Sequence, residues 1–185
     1  MEKSCCFIGH REIDITDDLI ARLTAEIETL IQSGVSRFLF GSRSDFDSLC
    51  HSVVTELKKK YPQIMRVAYD TKSESSTYEQ DREAEEESYS RFFNKEIHLA
   101  GYEEIYKPDV VYVSGKASYI ERNQIMIDNS DYCVFYYDES YTPKQRQISN
   151  KNVGGVWTSP NSGTAIAYQY AVRKKKTVIN LFNKA

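Results

Sequence analysis

Short apolar runs alternate with helical stripes along this chain, and this alternation limits the possible fold more than any other feature. Three apolar runs come at Cys5–Ile8, Val35–Phe40 and Ile64–Tyr69. Between them, apolar residues recur every three or four positions, which is the period of an amphipathic helix. Strands that are almost continuously apolar are typical of a parallel sheet covered by helices on both faces. The pattern therefore predicts an α/β fold, a single doubly wound domain over residues 1–185 with a mostly parallel sheet.

The helix ends and the second half of the chain carry more local signals. Thr16 has an N-cap side chain and is followed by two acidic residues, so it predicts the start of the first helix, which Gly34 ends. A second helical stripe runs from Phe46 to the lysines at 58–60. The second half predicts strands at Val110–Val113, Tyr132–Tyr137 and Thr177–Phe182, and helices at Tyr119–Asn129 and Ser162–Lys176.

Two segments depart from the alternation. Residues 74–100 are rich in Glu and also contain aromatic residues, which predicts an acidic helix covering one side of the sheet. A lid over a ligand is the alternative interpretation of this segment. Residues 139–160 are polar and contain Pro and Gly, so we expect a loop excursion there.

Charge and hydropathy exclude several classes of protein. The 24 basic and 27 acidic residues leave a net charge of −3, whereas non-specific nucleic-acid binding usually needs a basic face. The chain has no run of about 18 apolar residues, and its amino terminus passes directly into a strand. We therefore expect a cytoplasmic protein with no membrane segment and no nucleic-acid partner.

The cysteines and histidines are not arranged as metal ligands. Of the four cysteines, Cys5 and Cys6 are adjacent and would point to opposite faces of a strand, and no CxxC pair occurs. The three histidines are scattered along the chain. The sequence therefore predicts buried structural thiols, no metal site and no resident cofactor.

Three loops place unusual polar residues where a doubly wound sheet binds its ligands, beyond the carboxyl ends of the strands. Each combines a glycine with hydroxyl or cationic side chains, which suits a phosphate group. The candidate ligand-binding residues in these loops are Gly9, His10, Arg11, Gly41, Ser42, Arg43, Asp47, Ser159, Ser162, Gly163 and Thr164. Alternatively, the glycines only allow the positive φ angles that these turns require, and the hydroxyls only cap the helices.

Single residues in these loops have more than one interpretation. Arg11, Arg43 and Arg122 could clamp a phosphate or be surface charges. Asp47 could pair with Arg43 or bind a ribose hydroxyl. His10 could act as a general acid, stack on a ring, or be structural. The tyrosines of the second half could form core, a dimer interface or a base-stacking platform.

Together these residues resemble the SLOG superfamily, a Rossmann-like group, and most closely its YpsA-like branch. The similarity is carried by Gly9-His10-Arg11, by Gly41 to Asp47, by the segment Arg122 to Asp131, and by Ser162 to Ala167. The resemblance spans nearly the whole chain. It implies a pocket for a nucleotide or a nucleotide-derived ligand, with phosphate at the start of the last helix and Arg122 and Asn123 near the same site.

The chain also departs from the LOG-type phosphoribohydrolases of that superfamily. Their Pro-Gly-Gly-x-Gly-Thr-x-x-Glu motif ends in a catalytic glutamate, and Ala167 stands at that position here. Glu121 and Asp47 are the candidate replacements, since glycoside chemistry needs correctly placed carboxylates.

Three functions follow, in order of preference. The first is a cytosolic binding protein that senses a nucleotide-like small molecule. The second is a nucleoside-monophosphate N-glycosidase, a phosphoribohydrolase-like enzyme. The third is a non-catalytic interaction protein that uses the acidic helix or the 139–160 loop. A homo-oligomer is expected, because homo-oligomers are common among similar proteins.

Overall fold

The computed structural model describes residues 2–41, 44–70, 101–109, 111, 115–141 and 162–182. The predicted acidic helix at 74–100 and most of the predicted loop at 139–160 lie outside these ranges, as does the predicted strand at 110–113 apart from Val111.

The described residues form six strands and four helices. The strands are β1 (Lys3–Gly9), β2 (Val35–Phe40), β3 (Met65–Tyr69), β4 (Glu104–Tyr106), β5 (Tyr132–Tyr136) and β6 (Thr177–Asn180). The helices are α1 (Asp17–Gln32), α2 (Asp45–Lys60), α3 (Gly115–Asp128) and α4 (Gly163–Arg173). None of these helices has the length and the apolar character that crossing a bilayer requires.

The strands make one sheet in the order β4-β3-β2-β1-β5-β6, and every neighbouring pair is parallel. From β1 the chain first builds the sheet outward on one side, through β2, β3 and β4. It then returns to place β5 on the other side of β1, followed by β6. The strand order therefore reverses between β1 and β5. This arrangement confirms the predicted α/β, Rossmann-like fold.

The residues that were predicted to begin and end the first helix do so. The Thr16 hydroxyl accepts a hydrogen bond from the Leu19 amide at 3.2 Å, which caps α1. Gly34, at φ +96°, turns the chain out of the helix. At the other end of the chain, α4 stops at Arg173, earlier than the predicted Lys176, and Lys175 adopts φ +56° in the turn that follows.

The two faces of the sheet carry separate apolar cores. α1 and α2 pack on one face with Cys5, and α3 and α4 pack on the other face with Cys6. All four cysteines are buried and unbridged, as the sequence predicts. In the register of the sheet, Cys6 of β1 lies between Leu39 of β2 and Cys133 of β5. This alternation follows from the two-residue period of a strand.

The short edge strand β4 has no strong sequence signal. It contains three residues, and Ile105 and Tyr106 are 46% and 40% exposed. An ion pair between Arg37 and Glu104 at 2.8 Å holds it to the sheet. The strand is too short and too little apolar to show a periodic pattern in the sequence, so the sequence alone does not predict it.

Candidate functional site

A pocket opens at the point where the strand order reverses. It has a volume of about 280 Å³ and lies between the loop after β1 and the loop after β5, with Phe182 beyond β6 closing one side. Doubly wound sheets commonly bind ligands in the crevice at this place, since the loops on either side of the switch diverge there. We call this cavity the switch-point pocket.

The loop after β1 contributes His10 to this pocket. The His10 ring is 2% exposed and stacks on Tyr141 at 3.9 Å between ring centroids. Its Nε2 accepts a hydrogen bond from the Asp138 backbone N–H at 3.0 Å. Burial lowers the pKa of His10, and the Asp138 carboxylate opposes that shift. The ring is therefore neutral near pH 7 and carries its proton on Nδ1.

The neighbours of His10 have different roles. Arg11 is exposed, and its backbone carbonyl accepts a hydrogen bond from the Asp45 amide at the start of α2. The Gly9 carbonyl accepts a hydrogen bond from the Thr164 hydroxyl at 2.9 Å. This bond fixes the first turn of α4 against the carboxyl end of β1, although the two residues are far apart in the sequence.

The start of α4 has the geometry of an anion site. Ser162 caps the helix by accepting the Ala165 amide at 3.1 Å. The next backbone amides, those of Gly163 and Thr164, have no partner in the part of the chain that the structure describes, as is normal for the first turn of a helix. Apart from its two chain neighbours and the backbone of its own helix, no atom of that part lies within 4 Å of the position of a Cβ on Gly163. A phosphate could therefore approach these amides at the positive end of the helix dipole.

Arg122 of α3 reaches the end of β2. It is 2% exposed, and its guanidinium carbon lies 5.1 Å from the centre of the Tyr119 ring. A Cβ on Gly41 would lie 3.0 Å from Arg122 Nε, so glycine is the residue that leaves room for this side chain. Gly41 follows β2 and Gly9 ends β1, which is the neighbouring strand. The structure thus brings Arg122 to the same edge of the sheet as the start of α4.

Asn123, the next residue of α3, is 9% exposed, and its side-chain oxygen has no hydrogen-bond partner among the described residues. It lies one helical turn before Ile127, which packs in the same core as Ala167 and Ala171 of α4. A buried polar atom without a partner is uncommon in proteins and frequently marks a binding site.

The two candidate catalytic carboxylates are held by the fold. Asp47 is 1% exposed in the first turn of α2, and its backbone N–H donates to the Ser44 hydroxyl at 3.1 Å. Glu121 accepts a hydrogen bond from the Val111 amide at 2.9 Å. Ala167, at the position of the LOG-type glutamate, is 2% exposed and belongs to the core under α3 and α4.

The predicted motif Arg122 to Asp131 is divided between the two edges of the sheet. Its first residues lie at the carboxyl edge, whereas the Asp131 carboxylate accepts the Ser4 backbone N–H at 2.9 Å, near the start of β1. Ser130 also donates its hydroxyl to the Met126 carbonyl at 2.7 Å and so closes the end of α3. The seven helical residues from Arg122 to Asp128 span roughly 10 Å, which is enough to separate the two ends. The motif therefore combines site residues with structural ones.

Three carboxylates that the sequence analysis did not select line the switch-point pocket: Glu12, Asp14 and Asp138. The rings of Tyr136, Tyr141 and Phe182 line it as well. Burial raises the pKa of the Tyr136 hydroxyl, and Asp14 and Asp138 raise it further, while Arg22 acts in the opposite direction. The only sequence signal for these acids is their position directly after two strand ends.

Three predicted site residues, Ser42, Arg43 and Ser159, lie outside the described residues. Within those residues, no group of three or more His, Cys, Asp or Glu side chains is placed to hold a metal ion. Both tyrosines of α4 pack against the core under α3 and α4: Tyr168 contacts the rings of Phe135 and Tyr137, and the Tyr170 hydroxyl donates to Asp128 at 2.8 Å.

Comparison with known proteins and protein families gives one match. No curated protein matches the chain. The sequence model of the family YpsA, described as the YspA SLOG family, matches residues 10–154, which is more than half of the chain and includes His10, Gly41 and Arg122. With its Rossmann-like sheet and this match, the chain belongs to the YpsA family of SLOG proteins.

Proposed function

We propose that this protein binds a nucleotide or a nucleotide-derived small molecule at the carboxyl edge of its sheet, with the phosphate at the start of α4. The open first turn of α4 is the observation that carries this proposal. The Gly163 and Thr164 amides have no hydrogen-bond partner among the described residues, and the Thr164 hydroxyl donates to the Gly9 carbonyl, at the end of β1, at 2.9 Å. Membership of the SLOG family agrees with a nucleotide-related function.

Arg122 supplies the second element of this site. A guanidinium group pairs with phosphate through two parallel hydrogen bonds, and its charge persists at every physiological pH. Its burial beside Gly41 keeps it away from competing water, so its attraction for an anion is screened less than that of a surface arginine.

We propose binding without bond cleavage as the main function. Ala167 has no group that could stabilise an oxocarbenium ion, and it lies within the core. Asp47 is buried and Glu121 holds a backbone amide. The N-glycosidase alternative keeps Glu121 and Asp47 as its candidate carboxylates, and it predicts release of a free base from the bound nucleotide.

The test is a thermal-shift measurement with nucleoside mono- and diphosphates, cyclic nucleotides and ADP-ribose derivatives. A ligand at 100 times its Kd stabilises the folded state by about 2.7 kcal/mol, which is easily detected. Chromatography of the same mixtures then shows whether the ligand stays intact. An intact ligand supports the binding protein, released base supports the enzyme, and no shift with any nucleotide contradicts both.

A single substitution locates the phosphate. Gly163→Asp adds a carboxylate in the first turn of α4, where the helix dipole favours it, so the folded state should be at least as stable as before. The new charge should repel a phosphate and weaken nucleotide binding at least tenfold. Ala25→Asp, on an exposed position of α1, changes the net charge equally and should leave binding unchanged. Equal affinity in both variants would contradict a phosphate at this helix.

Arg122→Met tests the second element of the site. Methionine fills much of the apolar volume of the arginine stem and removes the charge, so we expect nucleotide affinity to fall at least tenfold. Arg173→Met, at the exposed end of α4, is the matched control and should bind like the unmodified protein. Unfolding curves of both variants show whether a loss of binding reflects a loss of fold.

A further inference from the structure

The switch-point pocket has a lining that does not suit a phosphate. Among the described residues that line it, three are acidic, three contribute aromatic rings, and none is Lys or Arg. Arg22, which acts electrostatically on the pocket residue Tyr136, is bonded to Asp18 at 2.8 Å and to the Leu181 carbonyl at 2.7 Å. A phosphate in this pocket would face carboxylates at short range, which is repulsive. The lining therefore disfavours a phosphate and leaves the pocket to an uncharged group.

The pocket offers hydrogen-bond donors and acceptors beside flat apolar faces. His10 is 2% exposed, and because its Nε2 accepts the Asp138 amide, its Nδ1 carries a proton that has no acceptor among the described residues. Asp14 is exposed, and its carboxylate makes no hydrogen bond or ion pair within the described part of the chain. By contrast, Asp138 accepts both the amide and the hydroxyl of Ser140.

This combination matches the chemistry of a sugar. A hydroxyl group both donates and accepts hydrogen bonds, so adjacent hydroxyls can donate to a carboxylate and accept from an imidazole N–H. The C–H face of a sugar ring is apolar and packs on aromatic rings. The pocket volume, about 280 Å³, is near the lower end of the range for small-molecule sites and is large enough for a pentose.

The position of the pocket relates it to the phosphate site. His10 directly follows Gly9, whose carbonyl holds Thr164 in the first turn of α4. The start of α4 and the pocket are therefore connected through one peptide unit, the one that joins Gly9 to His10. A phosphorylated sugar is a ligand whose charged and hydroxyl-bearing parts are separated by only a few bonds.

We propose that the switch-point pocket holds the pentose of the bound nucleotide, with Asp14 accepting hydrogen bonds from its ring hydroxyls. This inference rests on the proposed function, because it assigns one part of the same ligand. It makes Asp14 a residue that distinguishes ribose from deoxyribose. It also places the sugar hydroxyls, and not the phosphate, against the acidic loop that follows β1.

The experiment compares three probes that have no base: ribose 5-phosphate, 2-deoxyribose 5-phosphate and inorganic phosphate. Calorimetric titration should show that the unmodified protein binds ribose 5-phosphate at least tenfold more tightly than inorganic phosphate. Asp14→Ala should remove this advantage and leave the affinity for inorganic phosphate unchanged. Asp17→Ala removes the same charge from a residue outside the pocket and should preserve the advantage.

The failures of the two proposals are distinguishable. Equal affinity for ribose 5-phosphate and phosphate, or an unchanged advantage in Asp14→Ala, overturns the pentose assignment while the phosphate site stands. Equal affinity for the ribose and deoxyribose probes overturns the discrimination by Asp14. If neither these probes nor any nucleotide of the thermal-shift panel binds, the proposed function itself is wrong.

Discussion

The backbone N–H of Asp138 donates a hydrogen bond to Nε2 of His10 at 3.0 Å, across the crevice between β1 and β5. This bond joins the two loops that border the switch-point pocket. It requires an unprotonated Nε2, and burial lowers the pKa of His10 in the folded protein, which keeps that nitrogen free of a proton. The shape of the pocket therefore depends on the neutral state of one imidazole.

The first prediction concerns pH. Because the pKa of His10 is lower in the folded protein than the ordinary value of 6.5, the unfolded chain takes up a proton first as the pH falls. The stability due to the neutral ring is complete above about pH 6.5 and is lost as the pH falls toward the lowered pKa. Urea unfolding between pH 7.5 and pH 5 should show a declining free energy of unfolding.

Two variants separate the contributions to this decline. Burial also lowers the pKa of His51, so His51 acts in the same direction. His10→Gln keeps an acceptor for the Asp138 amide and cannot titrate, so its decline should be shallower than that of the unmodified protein. His51→Gln removes the part of the decline that is due to His51. A decline of unchanged slope in His10→Gln would show that His10 does not titrate in this range.

The second prediction concerns the end of β1. A Cβ on Gly9 would lie 2.5 Å from the Cβ of Phe46, a fully buried residue of α2. Gly9→Ala should therefore destabilise the fold by about 1–3 kcal/mol, the usual cost of overpacking a core. Gly163→Ala, where the same methyl group meets open space, should change the free energy of unfolding by less than about 0.5 kcal/mol. Chemical denaturation of the pair measures the difference, and equal stability would contradict the close contact.

The third prediction separates structure from binding within the segment from Arg122 to Asp131. Asp131→Ala removes the acceptor of the Ser4 amide and should cost about 1 kcal/mol of stability. Nucleotide affinity should not change, because Asp131 lies at the opposite edge of the sheet from the start of α4. Denaturation and calorimetry of the same sample test both statements. A loss of affinity without a loss of stability would place Asp131 in the site.

The fourth prediction concerns the edge of the sheet. Partial burial raises the pKa of Glu103, but hydrogen bonds from the Arg66 side chain and backbone outweigh it and hold the pKa at about 2. The stabilisation is therefore present above the ordinary pKa of 4.5 and is lost as the pH falls toward 2.

Glu103→Gln should lower the free energy of unfolding at pH 7 by about 1–2 kcal/mol, because Arg66 is 13% exposed and loses its charged partner. Glu56→Gln is the control, since Glu56 pairs with Lys59 in full contact with solvent and such pairs contribute little. The difference between the two variants should shrink as the pH falls from 4.5 and vanish below about pH 2, where Glu103 is protonated in the folded protein as well. A difference that persists there would have a cause other than the charge of Glu103.

The sequence predicted the strands with the strongest apolar runs and the caps with the clearest local chemistry. β2 has the predicted bounds because two glycines border it and four of its six residues are apolar. The N-cap at Thr16 depends only on residues within one helical turn. Such signals are complete within a short segment, so they do not depend on distant parts of the chain.

The site could be predicted only in part. Gly9 and Thr164 could be assigned to one edge because carboxyl ends of parallel strands converge. The pocket carboxylates could not be selected, because Asp14 and Asp138 meet only through the pairing of β1 with β5, which the order of elements leaves open. Nor does a motif on one helix reveal that its last residue, Asp131, reaches the opposite edge of the sheet.

The two ends of β1 also determine when the site can assemble. Its first residues are held by Asp131 and its last by Thr164, and one of its two strand neighbours is β5. Contacts between residues so distant in sequence form slowly, and the carboxyl-terminal partners are synthesised last. During synthesis on the ribosome, β1 has an open edge until β5 emerges. The carboxyl edge of the sheet is therefore completed late in folding, when α4 packs against Gly9.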